Sequence, residues 1–158
     1  TRRVGSEMCI RDSLTVMLYQ IADEFYPMLA EKDLTLSTEL EENLILYADA
    51  DKLARVMDNL LRNAAYYATP GTRILLALRA QADGVQVLVQ NRGKTIPKEK
   101  LDRIFERFFR LDEARSSDTG GAGLGLAIAK EIVCAHGGTV ACESTPEHTI
   151  FTIELPAA

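Results

Sequence analysis

Four glycines, at positions 120, 121, 123 and 125, crowd the point where "SSDTGGAGLGLAIAKEI" (116–132) turns from a polar stretch into an amphipathic helix. Each glycine inside a helix costs roughly 1 kcal/mol relative to alanine, so a helix spanning all four would not hold. The helix is therefore expected to run from about 124 to 136 and to stop at Gly137-Gly138. A helix N-terminus offers unpaired N–H groups and the positive end of a dipole, and glycine lets the backbone come close to a ligand. That arrangement suits a phosphate group. Close packing of the helix on a neighbour would account for the same glycines. Two common nucleotide loops are excluded: no Lys-Ser/Thr pair follows, and a polar loop rather than a strand precedes.

The remaining periodicities give the framework. Leu14, Met17, Leu18, Ile21, Phe25 and Met28/Leu29 recur at helical spacing, with Ser13 as N-cap and Pro27 expected to kink or weaken the end. Strands are predicted over 34–40 and 44–49, then a helix capped by Asp49 or Asp51 and ending at Tyr67. Two further strands, 72–80 and 85–91, are joined by "QADG", a hairpin signal. The loop "NRGKTIP" (91–97), a short helix over 98–106 and a polar segment lead to the glycine run. Strands over 139–144 and 148–155 close the chain, with "TPEH" as their turn. This order predicts an α+β fold, a two-layer α/β sandwich whose mixed, mostly antiparallel sheet is covered on one face by helices. Residues 1–13, "TRRVGSEMCIRDS", have no sustained apolar period and no signal-peptide cleavage site. They read as non-native sequence joined to a domain spanning 14–158, and are set apart from the fold.

Composition narrows the function. A chain of 158 residues, 47% apolar and 26% charged, is long enough for a core without disulfides or metal staples. Its formal charge of −5 and the lack of a basic stripe argue against nucleic acid. No apolar run approaches the roughly 20 residues that span a bilayer, so the chain reads as a soluble domain, which a membrane-anchored parent could carry. Cys9, Cys134 and Cys142 lack CxxC spacing and read as incidental thiols of a reducing compartment.

Two further stretches carry chemistry. In "DNLLRNAAYYA", Asn59 and Asn63 are four apart and share a helix face that Tyr67 continues. An amide oxygen can fill one position on Mg²⁺, with phosphates and waters completing the octahedron; a solvated face explains the pair equally well. Asn91 ends a strand that alternates Val85, Val87 and Val89, and Gly93 follows. A polar side chain emerging there could meet a purine edge, or belong to an ordinary turn.

Taken together, these stretches resemble the ATP-binding catalytic domain of bacterial sensor histidine kinases, in the gyrase, chaperone, kinase and mismatch-repair ATPase superfamily with the Bergerat fold. "DNLLRNAAYYA" resembles the asparagine box, "NRGKTIP" a degenerate first glycine box, "IFERFFRLD" the phenylalanine box and "GGAGLGLAIAKEIVCAHGG" the second glycine box. The part from Phe105 to Gly138 is especially similar to vancomycin-resistance and phosphate-responsive sensor kinases. The resemblance implies that ATP and Mg²⁺ bind, with Asn63 on the metal and Asn59 beside it at the phosphates. It implies that Tyr67 packs on adenine, that Asn91 accepts from the adenine amino group and that Gly93 shapes that turn. Phe105 and Phe108 would anchor a lid over about 109–122. Arg110, counted with Asn59 and Asn63 as catalytic, and Arg115 would contact phosphate. Gly121, Gly123 and Gly125 would form the phosphate cradle, with Ile96, Ala122, Leu124 and Leu126 bordering the nucleotide.

Three positions depart from the family pattern. Asn91 replaces an aspartate, which predicts weakened rather than abolished ATP binding; Thr95 replaces a glycine of that loop, which bears on its close approach, and Tyr66 replaces a basic residue, so that one phosphate contact is missing or moved. The family's phosphoacceptor histidine lies on a helical-hairpin dimerisation domain. The chain's own histidines do not fit that role: His136 stands at a helix end, where a cation complements the dipole, and His148 lies in or beside a hairpin turn. The expected partner is therefore a dimerisation and phosphoacceptor domain of the same protein, with a response-regulator receiver domain downstream. The chain is expected to be a monomeric cytoplasmic domain whose parent sits in the cell membrane, without contacts of its own to membrane or nucleic acid. The alternatives are a serine kinase or ATPase of the same superfamily, and a regulatory module that binds nucleotide without catalysis.

Overall fold

The computed structural model describes residues 2–4, 7–109 and 125–157. Its elements run β1 (Arg2–Val4), β2 (Glu7–Ser13), α1 (Leu14–Glu31), β3 (Thr35–Leu40), β4 (Ile45–Ala48), α2 (Ala50–Tyr67), β5 (Arg73–Gln81), β6 (Gly84–Asn91), α3 (Lys98–Leu101), α4 (Gly125–Ala135), β7 (Thr139–Ser144) and β8 (Thr149–Pro156).

Five strands form the main sheet in the order β3-β5-β6-β8-β7. All neighbours are antiparallel except β3 and β5, which run parallel with Thr35 opposite Arg73. Helices α1, α2 and α4 lie side by side on one face, packing respectively on β3, β6 and β7 and on one another. The core fills the space between the two layers; Leu18, Leu29, Leu60, Leu61, Ile74, Leu76, Leu78 and Ile153 are among its fully buried side chains. Alternation fixes which face of the sheet meets the helices. β6 buries Val85, Val87, Val89 and Asn91, and β8 buries Thr149, Phe151, Ile153 and Leu155.

Local signals fix the helix ends. Ser13 Oγ accepts from Val16 N at 3.1 Å to start α1, and Asp49 Oδ1 accepts from Lys52 N at 3.1 Å to start α2. Gly137 takes φ +79°, and the bonds from Gly138 N to Val133 O and from Gly137 N to Cys134 O end α4 in a Schellman motif.

Four features differ from the sequence reading. Glu7–Ser13 were set apart from the fold, yet β2 pairs with β4, Ile10 facing Ala48 and Ser13 facing Ile45, and Cys9 is fully buried. With β1 they make a second, three-stranded sheet. Helix α1 continues through Pro27 to Glu31, its last turn held by buried Leu29. The helix expected over 98–106 is one turn, Lys98–Leu101, followed by turns.

Candidate functional site

Helix α2 buries Leu53, Val56, Met57, Leu60, Leu61, Ala64 and Ala65. That face fixes the helix rotation and leaves Asn59 and Asn63 half-buried on its flank. Asn59 Nδ2 donates to Gly125 O at 3.0 Å, joining α2 to the first residue of α4. The Asn63 side chain makes no hydrogen bond among the described residues. A Cβ added at Gly125 would lie 3.8 Å from Asn59 Cγ, ordinary contact. Packing against the described residues therefore does not require glycine at 125.

The other end of α4 is tied to the start of α2. His136 Nδ1 lies 2.9 Å from Ile132 O, and Nε2 accepts from Asp49 N at 3.1 Å. Nε2 is thus unprotonated and Nδ1 carries the hydrogen: the ring is neutral here. This corrects the reading of His136 as a cation on the helix dipole. Helix α4 is thus clamped at both of its ends, antiparallel to the first half of α2, one clamp being the Asn59–Gly125 bond.

A second polar group lies where the inward rows of β6 and β8 end. Asn91 and Thr149 stand opposite each other in register, each only 6% exposed. Thr149 Oγ1 is 2.7 Å from Ser144 Oγ, which accepts from Ile96 N at 2.9 Å and so holds the loop after β6. Sequence reasoning found Asn91 and Ile96 but missed Thr149 and Ser144. The signal was available in "TIFTIEL" (149–155), an inward row of otherwise apolar residues that begins with threonine.

Gly93 brings this polar end against α2. It forms a bridge with Ala68, beside a 2.8 Å bond from Thr69 N to Arg92 O. A Cβ at Gly93 would run into the Tyr67 carbonyl oxygen, so no side chain is tolerated there. Tyr67 is half-buried, and its ring meets that of Tyr66 edge-on, 4.8 Å between centroids. On the outer side of this junction an open cleft of about 570 Å³ is lined by Arg92, Gly93 and His148 among others. Of the described candidate residues only Gly93 borders it.

The phenylalanine stretch is arranged differently from expectation. Phe105 packs edge-on against Phe151, 5.9 Å between centroids, with Lys130 Nζ 5.7 Å from its ring. Phe108, expected beside it, is 65% exposed with φ +66°, because the turns after α3 rotate it outward. Phe109 packs against the core instead, under the Arg103 guanidinium at 4.8 Å. An ion pair from Arg107 to Glu131 joins these turns to α4. Leu126 is half-buried against the core. Arg110, Arg115, Gly121, Ala122, Gly123 and Leu124 lie outside the described residues.

Helix α2 thus touches the start of α4 through Asn59 and the loop after β6 through its last turn. Residues 48–158 match the family model described as histidine kinase-, DNA gyrase B- and HSP90-like ATPase. The chain belongs to this ATPase family. Its relatives within the family are sensor kinases. It is 50% identical over 144 residues to the sensor protein VanS of Enterococcus faecium, covering 91% of this chain and 37% of VanS. The nucleotide-free catalytic domain of histidine kinase ThkA superposes with a TM-score of 0.84 at 25% identity, over 94% of this chain and 95% of that domain. Full-length ShkA, solved in complex with AMPPNP, superposes with a TM-score of 0.83 at 28% identity, over 99% of this chain and 33% of ShkA. The fold is that of histidine-kinase ATP-binding domains. The ATPase chain described here spans just over a third of the length of VanS.

Proposed function

We propose that this ATPase domain binds Mg²⁺–ATP between α2, the polar ends of β6 and β8 and the start of α4, and presents the γ-phosphoryl group to a histidine on a separate helical domain of the same protein. The observation that supports the reading is that the helix carrying Asn63, whose amide is unpaired among the described residues, holds the start of α4 through Asn59 and meets the loop after Asn91 at its end, where Gly93 abuts Tyr67.

Asn91 and Thr149 supply amide and hydroxyl groups to the base edge, and Tyr67 supplies a ring for its face. Asn59 holds the start of α4, where Gly125 and the candidate residues Arg110, Arg115 and Gly121 to Leu124 would meet the phosphates. Among the described residues no group of three or more His, Cys, Asp or Glu side chains could hold a metal. A divalent ion here would therefore be shared with the nucleotide, and the Asn63 amide oxygen fits as one protein ligand. When bound, Mg²⁺ supplies neutralisation of charge on the transferring group.

In the transfer, a ring nitrogen of the acceptor histidine bonds to the γ-phosphorus as the bond to the β–γ bridging oxygen breaks. ADP leaves with the electron pair, and the ring proton passes to a base on the acceptor domain. The chain's residues contribute position and electrostatics only. Both ring nitrogens of His136 are engaged by backbone groups, and His148 faces the outer cleft, so the acceptor comes from elsewhere. Asn59 stands where a water-activating base would be needed, and an amide cannot take that proton, so hydrolysis of ATP is slow.

Membership among the sensor kinases supports a cytoplasmic domain whose parent is membrane-anchored and passes phosphate to a response regulator; among the described residues no helix is long and apolar enough to cross a membrane. The test is transfer of labelled phosphate from ATP to an added helical-hairpin domain carrying the histidine. Label on that histidine, lost in Asn63→Ala, is expected. Label on serine instead would favour the serine-kinase alternative.

A further inference from the structure

Of the residues that α4 buries, the first two are alanines, Ala127 and Ala129; the larger Ile132 and Val133 follow a turn later. Methyl groups make shallow ridges, so packing at the start of the helix resists sliding and rotation only weakly. Directional bonds must then supply the register there. Two do so, one at each end of the helix: Asn59 Nδ2 to Gly125 O at 3.0 Å, and Asp49 N to His136 Nε2 at 3.1 Å.

The two ties are evenly spaced. At 1.5 Å per residue, the path from Asp49 to Asn59 along α2 and that from Gly125 to His136 along α4 are each about 15 Å. Helix α4 therefore cannot shift along α2 without straining both bonds. The far tie is itself held in place. Nδ1 of His136 donates to Ile132 O at 2.9 Å, which orients the ring and fixes its tautomer. Asp49 is only 7% exposed, and its side chain caps α2 on Lys52 N.

We propose that His136 is a positioning residue for the nucleotide: through Asp49 it fixes the register of α4 on α2, and so sets where Gly125 stands relative to Asn63. The inference rests on the ATP-binding reading above. His136 lies at the opposite end of α4 from Gly125 and acts through the helix, as a stop that keeps the phosphate-facing end in place.

Two substitutions separate positioning from bulk stability. His136→Ala removes the acceptor. His136→Gln puts an amide oxygen near the place of Nε2, able to accept from Asp49 N while giving up the bond to Ile132. Affinities are measured well below every melting temperature, by competition against a fluorescent ATP analogue. Mg²⁺–ATP affinity is expected to fall about fivefold in His136→Ala and to return to within about twofold of wild type in His136→Gln. Adenosine, which lacks the phosphates, should bind all three proteins alike. A merely structural histidine would lower the melting temperature and leave the affinity of the folded protein unchanged.

Amide hydrogen exchange reads the same coupling without nucleotide, and it stands even if His136→Ala does not fold. Asn59→Ala, at the opposite tie, should speed exchange at the Asp49 amide several-fold relative to amides of the central strands β5 and β6. Equal ATP affinity in wild type and His136→Ala, equal losses in the Ala and Gln variants, or an Asp49 amide indifferent to Asn59→Ala overturns the inference while the ATP-binding reading stands. A wild-type protein that binds no ATP defeats that reading instead, and the exchange result still decides whether the two ties act together.

Discussion

Gly93→Ala is the substitution whose effect follows most directly from the geometry. The new methyl group would collide with the Tyr67 carbonyl oxygen and lie 3.3 Å from both the Tyr67 carbonyl carbon and Asn91 Nδ2. Two of these three atoms are backbone, so the end of α2 and the loop after β6 must separate. Separation breaks the Ala68–Gly93 bridge and strains the 2.8 Å bond from Thr69 N to Arg92 O. Overpacking costs about 1–3 kcal/mol, and each lost hydrogen bond adds about 0.5–1.5 kcal/mol. A total of about 2–5 kcal/mol corresponds to a melting temperature lower by about 5–15 °C for a domain of this size. Because Asn91 moves with the loop, ATP affinity should fall as well. Gly125→Ala is the paired control. Its methyl group has room against Asn59, so the melting temperature should hold or rise slightly, while ATP binding weakens because the space is kept for the ligand. Thermal unfolding by circular dichroism and nucleotide titration read both variants. A Gly93→Ala protein melting within about 2 °C of wild type, with normal ATP affinity, would refute the close approach of the two backbones.

Other expectations follow from the site and from the thiols. Asn91→Asp supplies a charged acceptor in place of a neutral one, a gain of about 1 kcal/mol that should tighten ATP binding about five- to tenfold in the same titration. The free variant should melt earlier, since a carboxylate at a position only 6% exposed loses hydration; unchanged affinity would remove Asn91 from the site. Burial, with Glu143 adding to it, pushes the Cys142 thiol up to about 12, whereas Cys134 is exposed. Iodoacetamide at about pH 8.5, near the ordinary thiol value, should modify Cys134 and spare Cys142 until denaturant is added, as peptide mass spectrometry would show. The folded thiol titrates above the unfolded one. Its contribution to stability is therefore complete below the ordinary value of 9.0 and lost as pH rises toward about 12, so Cys142→Ala should flatten the alkaline decline.

Much of this architecture was legible in local pattern. The strands on either side of "QADG" were expected over 72–80 and 85–91 and lie at Arg73–Gln81 and Gly84–Asn91, because two-residue alternation and a hairpin signal reinforce each other. The glycine stop of α4 and the Ser13 cap of α1 were equally local. What escaped the sequence depends on distant partners. β2 lacks an apolar period because its order comes from pairing with β4, and the parallel match of β3 to β5 is set by topology. His136 looked like a cation at a helix end until its acceptor role toward Asp49 N, 87 residues away, was visible. Thr149 gained meaning only from facing Asn91, and Ser144 from meeting Thr149.

The central claim is that this domain holds Mg²⁺–ATP with Asn63 as its protein ligand to the ion. Titrating the protein with a fluorescent ATP analogue, with and without Mg²⁺, tests it most directly, with Asn63→Ala measured alongside. The account predicts saturable binding that Mg²⁺ strengthens and that Asn63→Ala weakens about tenfold, the loss of one charge-assisted contact. Absence of saturable binding up to about 1 mM nucleotide, an interaction weaker than about 4 kcal/mol, would contradict it; so would an Asn63→Ala protein with undiminished response to Mg²⁺.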